Sequence, residues 1–113
     1  MTVLVHAAIH GVVGRAAELR ALLREHADAT SRTPGCLGCA AYEPLGAEPG
    51  ELVLDAWWHD EAALRAHYAS AEYGRYATAV GELLTRPSDV QIHYVERTVR
   101  ARGDASLDPL RQD

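Results

Sequence analysis

No apolar stretch of this sequence approaches the roughly 18 residues that a membrane-spanning helix requires. Met1 to Gly11 also carries neither the basic region nor the small-residue cleavage site of a secretory signal. Positive charge is in deficit, because 11 Lys and Arg stand against 16 Asp and Glu, for a net charge of −5. These absences disfavour membranes and nucleic acids as partners and favour a cytoplasmic location.

Cysteine is scarce, with Cys36 and Cys39 alone in the chain. Their Cys-Leu-Gly-Cys spacing matches some redox and metal motifs, but a structural zinc site needs four ligands, and no second Cys or His pair follows at a suitable spacing. Dithiol redox sites place the first cysteine at a helix N-terminus, whereas Pro34-Gly35 ends a helix here. We therefore predict that both cysteines are small buried core residues.

Glycine is present, but not in the pattern of a dinucleotide-binding turn. Gly11 and Gly14 precede the first predicted helix without the full three-glycine spacing of that turn. We therefore expect the protein to carry no flavin, haem or transition metal.

The overall composition is that of an ordinary globular protein. Of 113 residues, 48% are hydrophobic and 24% are charged, which suits one domain with one core. We place this domain at residues 1–98 and interpret the polar residues 99–113 as a flexible tail.

Hydrophobic periodicity and turn residues divide the domain into alternating strands and helices. Leu19, Leu22, Leu23 and His26 recur at helical spacing, whereas Val90 to Val95 alternates as a strand does. The predicted strands are Thr2 to Ile9, Leu37 to Leu45, Glu51 to Trp58 and Val90 to Val95. The predicted helices are Arg15 to Ser31, Glu61 to Tyr68, and a second segment that Ser70 caps and Pro87 follows.

This β-α-β-β-α-β order predicts an α+β, ferredoxin-like fold, in which a four-stranded antiparallel sheet carries both helices on one face. The strands are apolar on both sides, since Leu4 and Ala8 oppose Val3 and Val5, and Val53 and Trp57 oppose Leu52, Leu54, Ala56 and Trp58. Helices on one face leave the other apolar face uncovered, which is unusual for a monomer. We therefore expect a homodimer that packs sheet against sheet.

The stretch from Trp57 to Tyr76 concentrates the aromatic residues of the chain. Asp60 is suited to cap the helix that follows the two tryptophans. His67 lies three residues after Leu64 and so shares its helix face, which should turn toward the sheet. We predict that a pocket, if present, lies here.

Several short motifs together resemble the antibiotic biosynthesis monooxygenase family, also called quinol monooxygenase-like proteins. They are Pro34-Gly35-Cys36 after the first helix, Trp58 followed by Asp60 to Leu64 and by His67, then Ser70 with Tyr73, and Pro87 before the last strand. The most specific of them is a tryptophan with a histidine nine residues later on a helix. The similarity covers about nine tenths of the chain and implies a dimeric α+β barrel.

Members of that family oxidise electron-rich phenols and dihydroxy-aromatics to quinones with O2 and no bound cofactor. Such chemistry asks for an aromatic-lined cavity and a group that titrates near neutrality. The resemblance therefore implies that His67 is the proton acceptor and that Trp58, Tyr73 and Tyr76 contact a small aromatic substrate. Further candidates for substrate contact are His6, His93 and Tyr94.

Other interpretations stay open. A histidine on the inner face of a helix is commonly a packing residue, and Trp57 at a strand end is commonly a core residue. The haem-degrading branch of the fold is disfavoured, because its members place a histidine near the position of Ala77 and an asparagine on the first strand, and this chain contains no asparagine. A non-catalytic ligand-binding dimer, or an isomerase of a small carbonyl compound, would use the same cavity.

Overall fold

The computed structural model describes residues 1–101, so most of the predicted flexible tail, residues 102–113, lies outside the described residues. A short 3-10 turn, Val13–Arg15, precedes the first helix. The strands are β1 (Thr2–His10), β2 (Cys36–Tyr42), β3 (Glu51–Trp58) and β4 (Asp89–Val95). The helices are α1 (Ala16–Ser31), α2 (Glu61–Tyr68) and α3 (Ala71–Gly81). No helix among the described residues is long and apolar enough to cross a membrane.

The four strands form one antiparallel sheet in the order β2-β3-β1-β4. Val3 of the central strand β1 lies opposite both Trp58 of β3 and Tyr94 of β4. This arrangement confirms the predicted ferredoxin-like α+β fold. The helical region between β3 and β4 is divided into α2 and α3, as the Ser70 cap predicted.

Side-chain caps explain where α2 and α3 begin. Asp60 accepts a hydrogen bond from the N–H of Ala63 at 2.8 Å, and the Ser70 hydroxyl accepts one from the N–H of Tyr73 at 3.1 Å. Each cap satisfies a backbone donor that has no partner inside its helix. The Ser70 hydroxyl also donates to the carbonyl of His67 at 2.7 Å, so one side chain joins the end of α2 to the start of α3.

The β2–β3 connection is longer than predicted, because β2 ends at Tyr42 rather than at Leu45. Pro44 lacks the backbone N–H that a continuing strand would use. Gly46 and Gly50 in this loop have φ values of 80° and 91°, in the left-handed region that glycine tolerates.

Two apolar clusters form the core between the sheet and the helices. One contains Ile9, Leu19, Leu23, Leu52 and Leu83, among other residues of β1, α1, β3 and the segment after α3. The second contains Val3, Val5, Ala56, Trp58 and Leu64. The first cluster holds α1 on the sheet and the second holds α2, so the space between them is bounded by both helices.

The opposite face of the sheet carries no helix and is more polar than the sequence pattern predicted. It presents Leu4 and Trp57, but also His6, whose Nδ1 lies 2.6 Å from Oδ1 of Asp55. The Tyr42 hydroxyl donates to the other oxygen of that carboxylate. We call this surface the open face.

A cluster of polar side chains around the buried His10 ring lies at one end of the sheet. His10 is 7% exposed, and its ring nitrogens lie 2.6 Å from the Glu51 carboxylate and 2.8 Å from the Asp89 carboxylate. Hydrogen bonds to Asp89 and Glu51 raise the pKa of His10 above its ordinary value, despite its burial. The two hydrogen bonds of the His10 ring therefore tie the ends of β1, β3 and β4 together.

Candidate active site

A cavity of about 170 Å³ lies between the sheet and the three helices. Its walls are mostly apolar and aromatic, with a small number of polar groups, which is typical of a small-molecule site. The sheet contributes Val5, Ala7, Ile9, Cys39, Leu54, Ala56 and Trp58. The helices contribute His26, Thr30, Leu64, His67, Tyr68, Tyr73, Tyr76, Ala77 and Val80, and Gly81, Leu84 and Ser88 complete the lining.

Trp58, rather than Trp57, faces this cavity. Successive strand residues point to opposite faces, and the pairing of Val3 with Trp58 and of Leu4 with Trp57 places the two indoles on different sides of the sheet. Trp58 is 1% exposed, and its indole N–H has no hydrogen-bond partner among the described residues. A buried donor of this kind costs about 1–3 kcal/mol when it stays unsatisfied.

His67 packs against that indole. Its side chain is buried at 9% exposure, and its ring centroid lies 4.7 Å from that of Trp58 and 5.2 Å from that of Tyr73. The imidazole makes no hydrogen bond to another described residue. Burial lowers the pKa of His67 below its ordinary value, and the negative charge of Glu72 partly offsets this effect. The ring is therefore neutral at pH 7 and able to accept a proton.

A second histidine, His26 of α1, lies beside the first. Its ring stacks on that of Tyr76 with centroids 3.5 Å apart and planes within 7°, and its Nε2 lies 3.3 Å from the Thr30 hydroxyl. Burial, with a smaller contribution from His67, lowers the pKa of His26 to about 4. His26 was not among the predicted site residues, and the signal for it in the sequence is its place at the end of the apolar stripe of α1.

Comparison with known proteins agrees with this geometry. The family model described as antibiotic biosynthesis monooxygenase matches residues 2–79. The chain belongs to the antibiotic biosynthesis monooxygenase family. The matched region contains the whole of α2 and the cavity residues of β1, β3 and α1, so the resemblance inferred from the sequence motifs is confirmed.

Individual relatives show the same fold. The chain is 42% identical over 74 residues to the protein named "Putative monooxygenase Rv0793" of Mycobacterium tuberculosis, a match that covers 66% of this chain and 71% of that protein. The solved structure of Rv0793 superposes with a TM-score of 0.79 and 34% identity over 88% of this chain and all of that one. SnoaB of Streptomyces nogalater, a cofactor-independent oxygenase, has a TM-score of 0.70 at 23% identity over 87% of this chain and 95% of its own, and supports the fold alone.

The two tyrosines and the tryptophan that were predicted to contact the substrate line the same cavity. Tyr73 and Tyr76 line the cavity with Trp58, and Tyr68, which had no predicted role, joins them. Burial raises the pKa of each tyrosine, and the neighbouring Tyr73 adds to this effect for Tyr68 and Tyr76. All three hydroxyls are therefore protonated at neutral pH and can donate hydrogen bonds.

Three predicted contact residues lie away from the cavity. His6 and His93 belong to the open face, since the cavity residues of β1 are its odd-numbered members and His93 pairs with Leu4. Tyr94 lies on the helix side, but it is 54% exposed and its hydroxyl donates to Glu61 at 2.5 Å. Tyr94 is exposed because β4 is an edge strand that the helices leave uncovered for most of its length.

The cysteines are half-buried rather than fully buried, and Cys39 lines the cavity. A register shift between Cys36 and Gly38 brings Cys39 opposite Ala56 on the helix side of the sheet. Burial raises the pKa of the Cys39 thiol to about 12, so it is a neutral wall residue. Among residues 1–101, no group of three or more His, Cys, Asp or Glu side chains could hold a metal ion.

Proposed function

We propose that this chain is a cofactor-independent monooxygenase that oxidises a small electron-rich phenol to a quinone with O2. The observation that carries the proposal is the neutral His67 imidazole, which lies beside Trp58 inside an aromatic cavity and makes no hydrogen bond to another described residue. Family membership supports a monooxygenase-type function in general. The residue roles and the substrate class are our proposal.

The volume of the cavity favours a small substrate. At about 170 Å³ it is smaller than the roughly 300–1,000 Å³ of pockets for drug-sized ligands. A dry cavity of roughly 150 Å³ is sufficient for benzene. A phenol with one ring, or with two fused rings, therefore fits better than a larger polycyclic compound.

In the proposed reaction, the substrate itself reduces O2. His67 accepts the phenol proton, and the phenolate gives one electron to O2; the superoxide and the phenoxyl radical then combine to form a C–O bond at an activated ring carbon. His67 returns its proton to this peroxide and removes the ring C–H proton as the O–O bond breaks. The departing hydroxide takes that proton, so one phenol and one O2 give one quinone and one water.

The cavity contributes to each of these steps. Its apolar walls exclude bulk water from the radical pair, and the aromatic side chains hold the ring of the substrate. The Trp58 N–H and the tyrosine hydroxyls are donors for the substrate oxygens, which become more negative after proton loss. A flavin or metal is not required, because the electron comes from the phenolate.

The test is a His67→Ala variant assayed with a panel of dihydroxynaphthalenes and simpler phenols. We expect kcat/KM to fall by ~100-fold or more, the usual effect of removing a positioned general base. In the parent, kcat/KM should fall as pH drops through the pKa of His67, which burial holds below its ordinary value. Oxygen uptake and quinone absorbance measure the same turnover independently.

His59→Ala is the matched control, because His59 precedes α2 and its side chain is 74% exposed. It should keep the turnover of the parent. If His67→Ala lowers the melting temperature but keeps the rate per folded molecule, His67 is a packing residue only. If the parent oxidises no phenol of the panel, the ligand-binding or carbonyl isomerase alternatives take its place.

We further infer that the protein is a homodimer joined through the open face. Leu4 and Trp57 give this face an apolar centre, and both are partly exposed in the single chain, so a second copy would bury them. The His6–Asp55 and Tyr42–Asp55 hydrogen bonds satisfy the polar groups nearby, so burial would leave few of them unpaired.

A further inference from the structure

A second, much smaller cavity adjoins the first. It measures about 30 Å³ and shares His26, Thr30, His67 and Tyr73 with the larger cavity, so these four side chains separate the two spaces. A cavity needs roughly 10–15 Å³ and two to four polar partners to hold an ordered water molecule. The small cavity meets both conditions.

The remaining walls of the small cavity lead from His67 to the surface. They are Ala29, Thr33 and Glu72, of which Glu72 is exposed at the start of α3. The Thr30 hydroxyl, on a side chain that is 3% exposed, is already within 3.3 Å of His26. Polar atoms from α1 and α3 therefore surround this space. His26 borders both cavities from α1, and His67 borders both from α2.

Glu72 is the charged residue of this lining. The other titratable groups that face His67 are His26 from α1, Tyr68 from α2 itself and Tyr73 from α3. His26 is neutral at pH 7, since its pKa is about 4, and both tyrosines are neutral because burial raises their pKa values. The negative charge of Glu72 raises the pKa of His67 against the effect of burial.

We propose that an ordered water molecule in the small cavity joins the His67 imidazole to the Glu72 carboxylate and makes Glu72 the positioning residue of the proposed base. One imidazole nitrogen then faces the substrate and takes its proton. The other nitrogen donates its N–H to the water, and the water donates to the carboxylate. These hydrogen bonds from His67 through the water to Glu72 select one tautomer of the imidazole and stabilise its protonated form. The proton stays on His67 until the peroxide takes it.

The catalytic part of this inference rests on the function proposed above, but the water and the charge coupling do not. Two measurements need no turnover: a high-resolution crystal structure, which shows whether the small cavity holds a water, and an NMR titration of His67. Glu72→Gln keeps the side-chain shape and removes the charge, so the pKa of His67 should fall. Glu25→Gln is the matched control, because Glu25 is exposed on α1 and lies outside the lining of the small cavity.

Turnover provides the third measurement. In Glu72→Gln we expect kcat to fall by about threefold to tenfold, a fraction of the general-base effect, with KM unchanged because Glu72 does not line the larger cavity. The acid limb of the pH profile should move to lower pH. Thr30→Val, which removes a polar partner of the water, should lower kcat in the same way, and Thr30→Ser should restore it.

The proposal is overturned if the small cavity shows no water density, or if Glu72→Gln and Glu25→Gln change the pKa of His67 equally. A water in place, with a pKa change specific to Glu72→Gln, supports it even where the parent oxidises no phenol. That result would reject the proposed phenol oxidation and support the proposed hydrogen bonds from His67 through the water to Glu72.

Discussion

The Trp58 indole combines two properties that seldom occur together, since it is buried at 1% exposure and yet its N–H has no partner among residues 1–101. Its burial is explained by packing against Val3, Val5 and Leu64. Its unsatisfied donor is explained if a substrate oxygen accepts the hydrogen bond. Trp58 would then contribute both apolar surface and one oriented donor to the cavity.

We predict that Trp58→Phe, which keeps an aromatic ring and removes the N–H, raises KM for a phenol about fivefold to tenfold, the equivalent of one hydrogen bond of about 1–1.5 kcal/mol. The free energy of unfolding, measured by urea titration, should change little through the N–H itself, because removing the unpartnered indole N–H breaks no hydrogen bond within the protein. Trp57→Phe is the control, because that indole lies on the open face. An equal effect of both variants on KM would mean that the Trp58 N–H does not contact the substrate.

The position of α2 depends on a close contact with the segment before β2. Gly35 has a φ of 83°, and a Cβ added there would lie 2.4 Å from Cβ of Ala63 in the first turn of α2. The carbonyl of Gly35 also accepts a hydrogen bond from the N–H of His59 at 2.8 Å. The backbone at Gly35 therefore packs too closely against the first turn of α2 to leave room for a Cβ.

We predict that Gly35→Ala destabilises the protein through two separate costs, a left-handed backbone at about 1–2 kcal/mol and the clash with Ala63. Adding Ala63→Gly should remove the clash and leave the cost of the left-handed backbone. A double-mutant cycle of unfolding free energies separates the two costs. Gly38→Ala should have a small effect, because a Cβ there meets no atom within 4 Å. Strictly additive effects of the Gly35 and Ala63 changes would contradict this close packing.

On the scale of the whole molecule, the helices cover three of the four strands on one face. β1, β2 and β3 pack against them, whereas β4 is exposed on both sides for most of its length. The open face adds Leu4 and Trp57 to the apolar surface that the single chain leaves accessible. A second copy is the proposed cover for this surface, and the cavity lies on the opposite side of the sheet from it.

We predict that the protein sediments as a dimer, at twice the chain mass of 12.3 kDa, at micromolar concentration. Leu4→Glu should yield a folded monomer or reduce stability, since a charge cannot be desolvated in that interface at a tolerable cost. Leu45→Glu should stay dimeric, because Leu45 is fully exposed in the β2–β3 loop. Near-ultraviolet circular dichroism separates dissociation from unfolding, and a monomeric parent would leave the open face without its proposed cover.

Much of the architecture follows from signals within a few residues of each other. The strand Glu51–Trp58 and the helix Glu61–Tyr68 have the bounds that the sequence predicted. The Asp60 and Ser70 caps are local hydrogen bonds between a side chain and a backbone N–H three residues later, so spacing along the chain suffices to find them. The pairing of Trp58 with His67 as neighbours is also a consequence of adjacent elements.

Which residues line the cavity was decided by contacts between residues far apart in the chain. His26 joins His67 because α1 packs beside α3, and Cys39 enters because a register shift in β2 changes the alternation of its side chains. His6 and His93 leave the site because the helices cover only one face of the sheet. Periodicity shows which residues share a face, but burial of that face depends on how the other elements pack, and local interactions do not encode that packing.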